Sequence, residues 1–454
     1  MLAVLLTLLV GASGCTPAAT LPSGDPSRTP TPAPGVLTTP SDPAYEVSLA
    51  ADEAGHVWTG TERIGFRNSA ADPLDRVWLR LWANGPEGCD PLAVDVTVTD
   101  GGTAGEPQRA CTALEIVLPA PLAPGERASI ALSLTITVPP RNDRFGYHGN
   151  VANLGGALPI LAILDDGGWH LDPYVDIGES FYSVPGRYRV TLEVPTSMAT
   201  PATGTLEQRE EVGDRERRTF VAEDVRDFMW SAGRLAARSA TVDGILVRVW
   251  SSPDEVTAAR ASSALATTRR SLRTYDRLFG AYPYQELDVV LGRFVTFGGM
   301  EYPQLVLAKP SAIPIAHEVA HQWWWVVVGS DQYAEPWLDE SLATWSAQVA
   351  LGGSRPCERW RWPSASARLG RDMGYWARHP TSYPTIYDGG ACMLSDLSAQ
   401  LGPGVLERTL ADYAASFRFG IVRVEDFWAL VEAAAVQAAP GIDVAAFRSE
   451  WRAS

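Results

Sequence analysis

Short apolar runs and alternating hydrophobic and polar positions dominate the first half of the chain. Such stretches lie at residues 77–82, 114–118, 129–134 and 188–194. Turn-forming residues separate them, for example Gly85 after Asn84 and Gly125 after Pro124. Alternation with a period of two predicts β-strands with one buried face, and the turn residues predict tight connections. We therefore expect residues 44–240 to form an N-terminal antiparallel β domain with a sandwich or saddle shape.

The pattern changes near Val242. Strands are predicted at 245–250 and 287–291, and helices at 254–279, 338–351, 391–401, 405–417, 424–438 and 444–451. Ser252 and Pro253 precede the first of these helices, and Gly280 follows it, as expected for helix boundaries. The fold class is therefore α+β and multidomain, with a second, mainly helical domain over residues 241–454.

Length and charge limit the function classes. A chain of 454 residues is long enough for two or three domains with sizeable cores. The formal net charge of −16 argues against a nucleic acid partner, because phosphate binding requires clustered Lys and Arg. We attribute the acidic balance to solubility. The sequence leaves the oligomeric state open.

The N-terminus has the features of an export signal. Residues 2–10 form an apolar run that is too short to span a bilayer, and small residues then lead into Cys15. This predicts a lipoprotein signal over 1–15, with Cys15 lipidated, although Ala12 stands where Leu is usual and no basic residue precedes the run. A plain secretory signal is the alternative. We expect a bacterial cell-surface lipoprotein outside the cytoplasm, attached to the membrane only through this lipid, or else a secreted protein.

The residues after this signal differ from both predicted domains. Residues 16–43 are rich in Pro, Thr and Ser and have almost no large apolar side chains, which predicts a flexible tether. An exported protein can hold disulfides. Beyond Cys15 the chain has four cysteines, which permit three connectivities. Pairing within each half of the chain is the simplest, joining Cys89 to Cys111 and Cys357 to Cys392.

One motif has strong chemical meaning. His317 and His321 are four residues apart, so on a helix both imidazoles lie on one face with Glu318 beside them. Eighteen residues after His321, Glu340 can supply a carboxylate from a second helix that begins near Pro336. Two imidazoles and one carboxylate form a zinc site with one open position. The alternative is a solvated helical His/Glu pair, but the apolar run at 323–328 predicts a buried helix, where unpaired polar groups are costly.

Further segments follow the same order as in a known family. They are the 298–301 segment Gly-Gly-Met-Glu, the His317 motif with Glu340, and the 387–391 segment Tyr-Asp-Gly-Gly-Ala. This arrangement resembles the gluzincin aminopeptidases, the family of aminopeptidase N, from about residue 45 to the C-terminus. The resemblance implies a thermolysin-like fold for residues 241–454 and one zinc ion as cofactor.

The resemblance also implies a role for each residue. His317, His321 and Glu340 would bind zinc, and Glu318 would assist the attack of a zinc-bound water as general base and then general acid. Tyr387 would stabilise the oxyanion. The substrate would contact the segment Gly298, Gly299, Met300 and Glu301: Glu301 would hold the free α-amino group, and the glycines would allow a close backbone approach.

Three positions depart from the family pattern. Tyr302 stands where the family often has Asn, Gly389 where it often has Lys, and Ser341 where Gly usually follows the glutamate ligand. None of them removes a metal ligand or the base. The sequence reveals no second acidic or amide anchor for the amino group in the β domain.

These observations predict a zinc-dependent aminopeptidase that acts on peptides with a free N-terminus. Two alternatives remain open. One is a zinc peptidase of other specificity, acting on internal bonds or on cell-wall peptides. The other is a zinc-containing surface lipoprotein that binds peptides with little turnover.

Overall fold

The computed structural model describes residues 35–295, 297–353, 357 and 360–453. The predicted signal, with Cys15, and most of the predicted tether lie outside these residues, so lipidation stays a prediction. Among the described residues, no helix combines the length and apolar character needed to cross a membrane.

The first half of the described chain is built from strands. They are β1 (Ser41–Ala51), β2 (Val57–Arg67), β3 (Leu74–Arg80), β4 (Val94–Asp100), β5 (Thr103–Ala104), β6 (Ala113–Leu122), β7 (Arg127–Thr137), β8 (Phe145–His148), β9 (Val151–Leu154), β10 (Ile160–Leu161), β11 (Leu164–Asp165), β12 (Gly168–Trp169), β13 (Gly186–Pro195), β14 (Thr205–Val212), β15 (Arg215–Val225) and β16 (Trp230–Gly233).

These strands form a seven-stranded sheet in the order β14-β15-β13-β1-β2-β7-β4 and smaller sheets packed against it. The alternation seen in the sequence follows the two faces of the large sheet. In β2, Trp58, Ile64 and Phe66 are buried while their neighbours alternate towards solvent. The pairing is antiparallel as predicted, except that β1 lies parallel to β13.

The second half combines a sheet with helices. Its strands are β17 (Ala236–Val242), β18 (Ile245–Ser251), β19 (Glu286–Leu291), β20 (Gly299–Met300) and β21 (Leu305–Ala308). Its helices are α1 (Ala258–Phe279), α2 (Ala312–Ala320), α3 (Trp337–Leu351), α4 (Met373–Arg378), α5 (Gly390–Leu401), α6 (Val405–Ser416), α7 (Val424–Ala438) and α8 (Val444–Glu450). The fold class is therefore α+β, as predicted.

Two element positions differ from the boundaries expected from sequence. Strand β17 pairs with β18 in the sheet order β17-β18-β19-β21-β20, so the sheet of the second half begins at Ala236, a few residues before 241. Strand β1 begins at Ser41, and Thr39 already exchanges backbone hydrogen bonds with Leu164. The folded part therefore begins inside the segment predicted as tether, because these backbone groups find partners in the β half.

Helix α2 is shorter than the sequence predicted. It ends at Ala320, and residues 323–328 continue as turns in which Trp325 has a φ of 119°. Three consecutive β-branched valines at 326–328 disfavour a helix. The buried guanidinium of Arg226 donates to the carbonyl oxygens of Trp325 and Val326, which a helix would otherwise use. The tryptophans are buried as expected.

Each half of the chain contains one disulfide, and neither bond joins the two halves. Cys89 is bonded to Cys111 with a Cα–Cα distance of 5.4 Å, and Cys357 is bonded to Cys392 with a Cα–Cα distance of 5.3 Å. Of the three possible connectivities, this is the pairing expected as the simplest. The second bond joins the segment after α3 to the first turn of α5.

Candidate metal centre and its cleft

Helices α2 and α3 bring the predicted metal ligands together. His317 Nε2 lies 2.9 Å from Glu340 Oε2 and 3.0 Å from His321 Nε2. His321 Nε2 lies 3.4 Å from the same carboxylate oxygen. His321 and Glu340 are buried, and His317 is partly exposed. Two imidazole nitrogens and one carboxylate oxygen therefore converge on one point, although they come from elements eighteen residues apart.

Neighbouring groups fix the orientation of both rings. His321 Nδ1 lies 2.9 Å from the carbonyl oxygen of Trp324, which can only accept, so Nδ1 carries the proton and donates. His317 Nδ1 lies 3.3 Å from the hydroxyl of Thr344. His321 therefore presents the lone pair of Nε2 towards His317, and His317 does the same when its Nδ1 donates to the Thr344 hydroxyl. Such outer contacts are the usual way of orienting metal-binding imidazoles.

This donor set fits a divalent metal ion. Two nitrogen lone pairs 3.0 Å apart, beside a buried carboxylate, repel one another unless a cation or a proton lies between them. Burial favours the neutral form of Glu340, but when the imidazoles carry a proton at Nε2, their hydrogen bonds to this carboxylate outweigh burial and lower its pKa. The group His317, His321 and Glu340 is thus a negatively charged, nitrogen-rich donor set of the kind that zinc prefers.

Glu318 lies beside this donor set and lines the same cleft. Burial raises the pKa of its carboxyl well above the usual value, and the nearby imidazole of His321 opposes this. A Cβ on Gly299 would lie 2.4 Å from Glu318 Cγ, so only glycine leaves room for this side chain. Gly299 was expected to make room for substrate, and in the structure that space holds the candidate base. Gly298 lines the cleft.

Tyr387 lies in a π-helical turn, Thr385–Gly389, that leads into α5. Its hydroxyl donates to Glu340 Oε1 at 2.8 Å. Burial raises the pKa of this phenol, and the charge of Glu340 raises it further, so the hydroxyl stays protonated as a donor. Ser341 Oγ donates to the carbonyl oxygen of Ile386 at 2.5 Å and holds the turn against α3.

The departures at Ser341 and Gly389 have structural explanations. A Cβ on Gly390 would lie 1.8 Å from Ser341 Oγ, so the serine is accommodated by a glycine in the facing helix. A Cβ on Gly389 would lie 2.5 Å from the Trp360 ring, which occupies the space that a lysine would need. The departures therefore preserve the position of Tyr387 by other packing.

A buried cluster of carboxylates lies beside the metal ligands. Glu301 follows β20 and is 2% exposed, and Asp339 directly precedes Glu340 in α3. The side-chain amide of Gln332 donates to Glu301 Oε1 at 2.7 Å and to Asp339 Oδ2 at 2.8 Å. Asp339 Oδ1 also accepts from the backbone N–H of Glu340. One amide thus connects the expected amine anchor to the helix turn that carries a metal ligand.

The β half contributes two charged residues that the sequence reasoning missed. Arg144 Nη1 lies 3.3 Å from Glu179 Oε1, and both side chains line the cleft. Burial, followed by the charge of Glu301, raises the pKa of Glu179. A second acidic group therefore does face Glu301 from the β half. The only sequence signal was an acidic, strand-free segment at 172–179.

Two residues of the 298–302 segment point away from the cleft. Met300 is fully buried in the core of the β half, so its side chain does not fit the expected substrate contact. Tyr302, which replaces the family Asn, is also fully buried. A Cβ on Gly155 would lie 2.2 Å from the Tyr302 hydroxyl, so this ring extends into the β half and packs against a glycine there.

A cleft of about 1040 Å³ connects these groups. Its walls come from both halves of the chain and include one face of α3 from Glu340 to Leu351. Lining residues include all three candidate metal ligands, the candidate base and both acids of the amine end: His317, His321, Glu340, Glu318, Glu301 and Glu179. A volume of this size can hold several residues of a peptide.

A second histidine–carboxylate cluster lies where the β half contacts the segment between α2 and α3. His170 Nε2 lies 2.9 Å from Asp165 Oδ1, while its Nδ1 lies 3.2 Å from Asp331 Oδ2 and 3.8 Å from Asp172 Oδ2. Burial disfavours the charged imidazole, but the hydrogen bond with Asp331 and the other carboxylates outweigh it and raise the pKa of His170 to about 9. The sequence offered no ligand spacing that would predict this cluster. We call these four residues the interdomain cluster.

Comparison with known proteins gives relatives of one kind. Aminopeptidase M1-D of Oryza sativa subsp. japonica is 25% identical over 289 residues, which are 55% of this chain and 33% of the relative. Aminopeptidase M1 of Arabidopsis thaliana is 24% identical over 285 residues, 54% of this chain and 32% of the relative. The matched region thus spans about a third of each relative. No family model matches the chain.

The solved structures cover more of the chain. An M1 zinc metallopeptidase from Deinococcus radiodurans superposes with a TM-score of 0.68 over 93% of this chain and 94% of its own, at 19% identity. The chain resembles the M1 zinc metallopeptidases. At this identity the M1 structures show the shared two-domain fold. Another solved two-domain M1 metallopeptidase, with a TM-score of 0.67 and 19% identity, has L-arginine bound.

Proposed function

We propose that this chain is a zinc-dependent aminopeptidase that removes N-terminal residues from peptides. The observation that carries the proposal is the cleft, in which the zinc-type donor set, a buried base and two acids for an amino group lie together. His317, His321 and Glu340 would hold the ion. A bound zinc ion supplies Lewis acidity to a water and to the scissile carbonyl.

The remaining steps belong to side chains of this chain. Glu318 takes a proton from the attacking water and later gives it to the leaving amine, since its burial makes it a stronger base than an exposed carboxylate. Tyr387 keeps its proton and can donate to the oxyanion. In the structure the hydroxyl donates to Glu340 Oε1, so it must turn from this carboxylate towards the substrate in order to donate to the oxyanion.

Recognition of the substrate's free α-amino group by acidic residues of the cleft would make the enzyme an exopeptidase. Glu301 and Glu179 both line the amine end of the cleft, and Arg144 forms an ion pair with Glu179. A substrate ammonium group adds a positive charge beside these buried carboxylates, whereas an acylated N-terminus adds none. Peptides with a free N-terminus are therefore the proposed substrates.

The test compares aminoacyl chromogenic substrates with their N-acetyl forms. The purified protein should hydrolyse only the free-amine forms. Glu318→Gln should keep its zinc and lower kcat by roughly 10²- to 10⁴-fold, the range for loss of a general acid–base group. Glu425→Gln, on the exposed first turn of α7, is a matched control that should retain activity.

Two results would contradict the proposal in different ways. Equal cleavage of acetylated and free substrates would support a zinc peptidase of other specificity. A zinc-loaded parent protein that binds peptides without hydrolysing them would support the binding lipoprotein instead.

A further inference from the structure

Gln332 is buried behind the cleft wall, where it contacts Glu301, a residue that lines the cleft. It is 1% exposed, and its amide nitrogen donates to two carboxylates at once, Glu301 and Asp339. The NH₂ group of Gln332 has two N–H donors, and the structure places it between the two carboxylates. Its amide oxygen is then directed away from both and is buried without a hydrogen-bond partner among the described residues. Buried polar atoms normally have a hydrogen-bond partner, so an unpaired amide oxygen at this position calls for an explanation. The two bonds that the NH₂ group donates to the acids offer one.

The two acids belong to different functional parts. Glu301 follows β20 and is the proposed partner of the substrate amine, while Asp339 is bonded to the backbone of the metal ligand Glu340. Gln332 thus spans the segment that would hold the substrate's first residue and the helix turn that would hold the metal. The backbone N–H of Gln332 donates to the carbonyl oxygen of Phe181, so the residue is also held against the β half.

A second glutamine acts on the same segment in another way. Gln322, the residue after His321, accepts from the backbone N–H of Gln304 and donates to the carbonyl oxygen of Tyr302. These bonds hold the backbone that follows Glu301 and do not involve its carboxylate. The carboxylate itself accepts from the side-chain amide of Gln332, with 2.7 Å between Gln332 Nε2 and Glu301 Oε1. Backbone and side chain of the amine anchor are therefore held separately.

We propose that Gln332 is a positioning residue that sets the orientation of the Glu301 carboxylate and its distance from the metal ligands. This inference rests on the proposed aminopeptidase function. By fixing one carboxylate oxygen of Glu301, Gln332 leaves the other oxygen for the substrate ammonium group. It thereby selects peptides whose first peptide bond, and not the second, reaches the metal.

The test is Gln332→Met, which keeps the length of the side chain and removes both donors. We expect KM for an aminoacyl chromogenic substrate to rise by about tenfold or more, since a hydrogen bond to a charged group is lost, with a smaller effect on kcat and unchanged zinc content. Gln332→Asn should raise KM nearly as much as Gln332→Met, because its side chain is one methylene too short for the amide to reach both acids. Gln400→Met removes an amide–carboxylate bond with Asp396 on the exposed face of α5 and should leave KM unchanged.

A double-mutant cycle separates positioning from simple destabilisation. In a Glu301→Ala background, Gln332→Met should have little further effect on KM, because the carboxylate it orients is gone. Equal effects of Gln332→Met in both backgrounds would overturn the inference, as would an unchanged KM in the single variant.

Failure of the proposed function looks different. A parent protein that cleaves acetylated substrates equally well has no amine anchor to position, and a parent protein without hydrolysis has no cleavage register. Either result removes the proposed function and this inference together. A parent that requires a free amine, combined with a silent Gln332→Met, removes the inference alone.

Discussion

The candidate metal centre and the interdomain cluster both combine histidine with carboxylates, and they use their imidazole nitrogens differently. In the candidate metal centre, the Nδ1 atoms of His317 and His321 face a neutral hydroxyl and a carbonyl, and both Nε2 atoms turn inward. In the interdomain cluster, one ring places Nε2 against Asp165 and Nδ1 against Asp331. The first arrangement leaves lone pairs that require a cation, and the second fits an imidazolium ion that donates in both directions.

The comparison shows that residue type alone does not define a metal site. Both clusters have three ligand atoms within 4.8 Å of one another. The difference lies in the group behind each ring: a neutral acceptor fixes the proton on the outer nitrogen, whereas carboxylates on both sides favour a second proton. One centre is therefore expected to hold zinc and the other a proton.

The largest effect is expected from a matched pair of substitutions. His321→Asn should lose zinc and reduce peptidase activity to background, because two ligands remain and the partners of the third are left unpaired. His170→Asn should keep one zinc per chain and most of the activity. Metal analysis by mass spectrometry together with an aminoacyl substrate assay measures both. A parent protein with two zinc ions per chain, reduced to one in His170→Asn, would contradict the distinction.

The candidate metal centre could be predicted from sequence because its geometry is local. A spacing of four residues places His317 and His321 on one helix face, and one further helix brings in Glu340. The interdomain cluster could not, since His170 and Asp331 are 161 positions apart and meet only through the packing of the two halves. The same reason hides Glu179, which no local pattern connects to Glu301.

The fold was predictable to a similar extent. Alternation predicted the strands of the β half, and most helices of the second half lie within a few residues of their predicted bounds. The expectation that the helix continues through the apolar run 323–328 was wrong. The three valines in that run were a local signal against a helix, whereas the bonds from the distant Arg226 to the carbonyl oxygens of Trp325 and Val326 could not be read from the sequence. The parallel pairing of β1 with β13 likewise depends on long-range topology that alternation does not reveal.

A medium effect is expected from pH. The pKa of His170 is raised to about 9 in the folded state, above the ordinary value of 6.5 expected in the unfolded chain. The protonated His170 therefore stabilises the folded state fully below pH 6.5, and this contribution is lost as the pH rises through 9. For this half-buried group we expect roughly 1 kcal/mol after solvent screening. The measurement is the free energy of unfolding by urea at pH 6, 7.5 and 9.

The control for this pH effect is His170→Gln. Other groups also titrate in this range, among them Asp227, whose pKa burial raises to about 7. The quantity to compare is thus the difference between the parent and His170→Gln at each pH. That difference should shrink as the pH rises. A constant difference would mean that His170 stabilises the fold as a neutral ring, and the contrast with the metal centre would be lost.

The smallest effect is expected at Arg423, whose exposed guanidinium contacts Asp166 and lies 3.6 Å from Asp165 Oδ2. This cation competes with His170 for the charge of Asp165. Arg423→Gln should therefore lower stability by less than about 1 kcal/mol, as exposed ion pairs do, and raise the pKa of His170. NMR titration of the His170 ring measures the shift directly.

Arg260→Gln, on the exposed face of α1, removes the same charge elsewhere and should leave that pKa unchanged. A fall in the pKa of His170 in Arg423→Gln would show that the carboxylates of the interdomain cluster do not set its protonation.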